Sequence, residues 1–206
     1  MNTSHQKILR IASLSLLYSI AMLPMQSWSG PNPTPAVSEK TFDTSKHAKA
    51  NGARISVRYP ADWTAKEGAS PRAIQHFYSP MSWSQPLSLS LMVESEENGD
   101  NVEASCASMS KQDWTKILVG GGMEVVNSRT LRHQGKPAFL VVIRKSNTFE
   151  GKPMYSAVQM LSICTGPHMV KLSCNSSSMS PELAETFLKE KTPYCERYYK
   201  SLLVRS

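Results

Sequence analysis

Four cysteines carry the most pointed chemistry in this 206-residue chain: Cys106, Cys164, Cys174 and Cys195, at spacings of 58, 10 and 21 residues. A thiol can serve as nucleophile, metal ligand or half of a disulfide. There is no CxxC pair, and His168, the nearest histidine, has no second histidine at a ligand spacing, so the pattern describes neither a zinc site nor a redox dithiol. An even number of separated cysteines fits two structural disulfides, provided that the chain folds in an oxidising compartment. The remaining nucleophiles and bases are scattered. Neither a G-x-S-x-G elbow nor an H-E-x-x-H helix occurs, and His47, His76, His133 and His168 fall in separate segments. The methionines from Met81 onward show no repeated Met-x-x-Met, as a copper carrier would, and suit the filling of core gaps. These residues nominate no catalytic group, no metal ligand and no cofactor.

The compartment is written at the start of the chain. Lys7 and Arg10 precede an apolar run from Ile11 to Leu23, Pro24 breaks it, and Ser27 and Ser29 place small side chains before Gly30. That is the order of parts in a secretory signal, expected over residues 1–29. The run falls short of the about 20 apolar residues that span a bilayer, so no stable membrane anchor is expected after cleavage. The protein is therefore expected in the periplasm or outside the cell, where disulfides form. The chain beyond residue 29 carries 21 basic and 16 acidic groups, a net +5 spread along its length. A nucleic-acid footprint would cluster the cations with aromatics between them, and no nucleic-acid partner is expected.

Residues 30–50, rich in Pro, Thr, Ser and Lys, read as a flexible tether, and residues 51–206 as a single domain. Within it, Ile55, Val57 and Tyr59 alternate with polar residues as in a half-buried strand, and Trp63 follows as a core plug. Ala73 to Tyr78 and the run Leu87, Leu89, Leu91, Val93 should form a hairpin. Its loop holds Met81 and Trp83 between two prolines, and a tryptophan at a hairpin tip leaves apolar area in water unless it folds back or meets a partner. Met81 and Trp83 are the candidate partner-binding residues, because aromatic side chains are enriched where binding energy concentrates.

Val102, Cys106, Met109 and Ile117 share a helical face that Asp113 interrupts, unless Ser110 caps a fresh helix in the pattern S-x-x-D. Strands are expected at Glu124 to Arg132, Pro137 to Lys145, Met154 to Cys164 and Met169 to Cys174, with antiparallel pairing because the connections are short. Asn175, Ser176 and Ser177 form a glycosylation sequon, meaningful only in a host that glycosylates secreted proteins. Ser180 and Pro181 open a terminal helix in which Cys195, Tyr198, Tyr199, Leu202 and Leu203 share one face.

The cysteine pairing follows from parity. If the four residues between Cys164 and Met169 are the hairpin loop, Cys164 faces Met169 and Cys174 faces Gln159, which puts the two cysteines on opposite sides of the sheet. Cys174 then pairs with Cys195 of the last helix, and Cys106 of the first helix with Cys164. A loop one residue longer or shorter would reverse that parity.

Three features together resemble the PsbP/Mog-like superfamily: Ile55-Ser-Val-Arg-Tyr-Pro-Ala-Asp-Trp63 opening the domain, Gly135-Lys-Pro-Ala138 entering a hydrophobic strand, and the helix from Phe187 to Leu203 ending in Lys200-Ser-Leu-Leu-Val204. The resemblance implies an α+β fold, a central and mainly antiparallel sheet flanked by helices in an α/β/α sandwich. It also implies a binding or assembly role, with no catalytic residue shared across the family. The expectation is an exported, non-enzymatic binding or accessory protein with an unknown protein partner. Two alternatives stand beside it: a small periplasmic hydrolase with a triad not visible in sequence, and a periplasmic immunity-type protein. A histidine within hydrogen-bond reach of a serine in a buried pocket would favour the hydrolase.

Overall fold

The computed structural model describes residues 38–81, 86–95, 101–119 and 122–205. Alternation of apolar and polar residues builds two antiparallel sheets. Strands β3 (Thr64–Glu67), β4 (Ala73–Tyr78), β5 (Ser88–Ser95), β6 (Met123–His133), β7 (Lys136–Phe149), β8 (Lys152–Thr165) and β9 (His168–Ser178) form a seven-stranded sheet in the order β3-β4-β5-β9-β8-β7-β6. Strands β1 (Glu39–Asp43), β2 (Arg54–Pro60) and β10 (Leu203–Arg205) form a three-stranded sheet in the order β1-β2-β10. The helices are α1 (Val102–Ala107), α2 (Lys111–Leu118), α3 (Pro181–Thr186) and α4 (Thr192–Ser201), the last two joined by a π-helical turn, Phe187–Lys191. This is the α+β class, with a mainly antiparallel sheet between helices.

The large sheet has an apolar surface on both faces, so it is covered twice. On one side Phe77, Leu89, Leu91, Leu140, Leu161 and Leu172 pack with Ile55 and Val57 of β2, Trp63, Phe187 and the α4 residues Tyr198 and Tyr199. On the other, Phe139, Val141, Ile143, Cys164 and Met169 lie with Cys106 and Trp114 of α1 and α2. One disulfide braces each side. Cys106 of α1 is bonded to Cys164 of β8, Cα atoms 6.3 Å apart, and Cys174 of β9 to Cys195 of α4, 6.0 Å apart. The β8–β9 register pairs Cys164 with Met169 and Gln159 with Cys174, so the two sulfurs leave the sheet in opposite directions.

The first helical region breaks in two. Ser110 accepts from the Asp113 N–H at 3.2 Å, and the Asp113 carboxylate accepts from the Ser110 N–H at 3.1 Å, a complete capping box that starts α2 afresh. The Ser110 hydroxyl also holds the Asp113 carboxyl below the usual carboxylate range. This restart changes which side chains face the sheet. Trp114 is buried and stacks on Phe139, ring centroids 5.5 Å apart, whereas Ile117, expected on the buried face, is exposed.

Three expectations are corrected. Residues 39–43, expected within the flexible tether over 30–50, form β1, which pairs with β2 along its whole length. One apolar anchor suffices there, Phe42 edge-on to Phe77 at 5.7 Å, because the ladder supplies the backbone partners. Thr44 then fixes the exit, donating its hydroxyl to the Ala53 carbonyl at 2.7 Å and accepting from the Ile55 N–H at 2.8 Å. The terminal helix stops at Ser201, not Leu203. His133 and the Gln134 amide both donate to the Leu202 carbonyl, at 2.8 and 2.7 Å, and this turns the chain into β10. Finally, β9 runs on through the Asn175 sequon to Ser178.

The β3–β4 connection contains a position that admits only glycine. A Cβ on Gly68 would lie 2.4 Å from the Ala73 carbonyl oxygen, a backbone atom that cannot yield by rotation. Gly68→Ala should therefore lower the urea midpoint by the equivalent of about 2 kcal/mol, and an unchanged midpoint would show that the edge hairpin opens at no cost.

Candidate functional site

Cross-strand register places whole rows of side chains on one surface of the large sheet. Reading outward from the helix-covered half, Val141, Met160, Ser173, Ser90, His76 and Lys66 are successive partners across β7, β8, β9, β5, β4 and β3. The adjacent row runs Ile143, Val158, Asn175, Ser88, Tyr78, Thr64. Each row is apolar where α1 and α2 lie over it and polar beyond β8. The change of chemistry follows the limit of the helix-covered cluster, which takes in β7, β8 and only the Met169 end of β9.

The polar half is preorganised by its own hydrogen bonds. His76 Nδ1 and Ser90 Oγ are 2.8 Å apart, the Asn175 amide donates to Ser88 Oγ at 2.5 Å, and Ser173 Oγ donates to the Ser90 carbonyl at 3.4 Å. Lys171 Nζ lies 2.6 Å from Glu94, which also meets Arg72 at 3.6 Å. Glu94 thus belongs to an ion-paired corner of the sheet. Half-exposed Met92 sits between these polar groups, and Tyr78 stands exposed at the margin.

At that margin the β4–β5 loop leaves the sheet through a closed neck. The Ser79 N–H donates to the Leu87 carbonyl at 2.9 Å and the Leu87 N–H donates to Ser79 Oγ at 2.8 Å, with both residues buried. Met81, just beyond the neck, is 86 % exposed, so it does not fold back on the core. Trp83, the other residue singled out in the loop, lies outside the described residues. Trp63 is buried, as a core plug should be.

Two histidines meet serines. Besides His76 with Ser90, His168 Nδ1 lies 2.8 Å from Ser95 Oγ, which also accepts from the Asn51 amide at 3.4 Å. Burial pushes the His168 pKa down, which favours the neutral ring. Both pairs are direct cross-strand partners. Among the described residues no hydrogen bond reaches the far nitrogen of either ring, where a triad would place its carboxylate. His133 is used structurally, at the Leu202 carbonyl. Among the described residues no three His, Cys, Asp or Glu side chains gather as a metal site, and no helix is long and apolar enough to cross a membrane.

No protein-family model matches the sequence, and no curated protein matches it. Solved structures do. The chain is similar to cyanobacterial PsbP from Synechocystis, at 13 % identity and a TM-score of 0.46, over 88 % of this chain and 99 % of that one. It is similar to LpqN of Mycobacterium tuberculosis, a protein involved in cell envelope biogenesis, at 13 % identity and a TM-score of 0.48, over 86 % and 100 % of the two chains. It is similar also to the Saccharomyces cerevisiae Ran-binding protein Mog1p, at 12 % identity and a TM-score of 0.47, over 82 % and 96 %.

Proposed function

We propose that the protein is an exported, non-enzymatic accessory protein that binds a protein partner on the open half of the large sheet, beside the Met81 loop. The carrying observation is the change of chemistry along single cross-strand rows: Val141 and Met160 lie under helices, while Ser90, His76 and Asn175 of the same surface stand beyond them. A sheet surface built of serines, an amide and a histidine, with Met92 and Tyr78 among them, combines hydrogen-bonding groups with adaptable apolar contact. That mixture suits an interface formed and released in water. Export is supported by the sequence of residues 1–29 and by the two disulfides, with removal of the signal before Gly30 part of the same proposal.

A photocrosslinking side chain placed at Ser90 should give a defined adduct with a partner in the native compartment. The same group at Lys111, an exposed residue at the start of α2, should not. Equal adducts from both positions, or none from Ser90, would refute the assignment of the face. Labelling of Ser90 or Ser95 by a fluorophosphonate would instead favour the hydrolase reading that the two serine–histidine pairs permit.

A further inference from the structure

The two disulfides differ in what surrounds them. Cys174 and Cys195 are both fully buried, and neither lines the cavity that Cys106 borders. Cys106 lines a cavity of about 330 Å³ between α1–α2 and the β6–β7 hairpin, bounded by Ala107, Met109, Trp114, Leu131 and Arg132. We propose that the Cys106–Cys164 bond is a thiol-exchange site, entered through this cavity by small thiols the size of cysteine or glutathione, whereas the Cys174–Cys195 bond is closed to them.

Access and the identity of the sulfur attacked govern the rate of exchange. Cys106 is the partner on the cavity side, and Cys164, fully buried against the sheet, is the leaving group. The incoming thiolate bonds to Cys106 Sγ as the Cys106–Cys164 bond breaks. The electron pair departs on Cys164 Sγ, which takes a proton from water. A second thiol attacks the mixed disulfide at the sulfur of the first, leaving Cys106 and Cys164 as thiols and the reagent as its own disulfide. Arg132 at the cavity favours the anionic form of the attacker, and its guanidinium is steadied by donating to the Gly135 carbonyl at 2.7 Å. Once the bond opens, α1 keeps its Asn101 cap, the Glu103 contact with the Gly166 N–H at 3.0 Å and the longer Glu103–Lys136 pair at 3.8 Å, but loses its covalent tie to the sheet.

The test is timed reduction of the folded full-length chain by glutathione and by dithiothreitol, with alkylation of freed thiols and peptide mapping. Cys106 and Cys164 should be alkylated at least about tenfold faster than Cys174 and Cys195. Ala107→Leu, at an exposed position on the cavity wall, should slow the Cys106–Cys164 reaction severalfold and leave the other bond unchanged. Arg132→Glu should slow glutathione, which carries net negative charge, more than dithiothreitol. Simultaneous reduction of both bonds, or a rate in Ala107→Leu equal to that of the native chain, would overturn the proposal.

Discussion

Replacing Cys174 and Cys195 together by alanine should destabilise the protein by about 5 kcal/mol, measured as the shift in free energy of urea unfolding. Closing a 21-residue separation in the unfolded chain accounts for about 3 kcal/mol of that. The rest comes from the space that two fully buried sulfurs leave, about 1 kcal/mol for each. By chain entropy alone the longer 58-residue separation of Cys106 and Cys164 should count for more. Location reverses the order of consequences. Cys195 ties down α4, and with it Tyr198, Tyr199 and the return of the chain into β10, all within the larger core. Tyr199 also donates to the Gln159 carbonyl at 2.6 Å, a buried bond that depends on α4 staying against the sheet. Loss of the tyrosine near-ultraviolet circular dichroism should accompany the shift. A loss below about 2 kcal/mol would mean that packing alone holds the helix.

Trp114→Ala should be the most damaging single change under α1 and α2, costing about 3 to 5 kcal/mol in the same measurement. The indole is 1 % exposed and lies parallel to Phe139, and those two rings form the centre of the smaller core. Alanine leaves a void that α2 cannot close, since Ser110 and Asp113 fix its start and Cys106 fixes the helix before it. Trp114→Phe keeps the stacking and most of the volume and should recover more than half of the loss. Ile117→Ala, three residues on and exposed, should change stability by no more than about 0.5 kcal/mol. Equal effects at 114 and 117 would mean that the helix is not restarted at Ser110.

The contrast between Trp114 and Ile117 shows how much of the fold is legible in the sequence. A continuous helix from Val102 puts Ile117 inside, and the S-x-x-D pattern offers the restart, but nothing local chooses between them. The choice falls to Phe139, far along the chain, whose ring face is covered only if Trp114 turns inward. The binding face has the same character. Ser88 and Ser90 are readable as the polar side of β5 from their alternation with Leu87, Leu89 and Leu91. That they line up with His76, Ser173 and Asn175 is a fact of register among strands distant in sequence. The short edge strands β1, β3 and β10 are the least legible, because they owe their order to the ladder beside them and not to an apolar period of their own.

Sequence alone determined that residues 164 and 174 take opposite faces if Cys164 lies opposite Met169, and the β8–β9 register supplies that condition. Sequence also determined the alternation of the central strands and the buried role of Trp63, each settled within a few residues, and it offered the cap at Ser110, which the stacking of Trp114 on Phe139 selects. Tertiary structure decided where the helical cover ends, which cysteine lines a cavity and which surface is left open. Those outcomes depend on how long elements pack against strands they meet only in space.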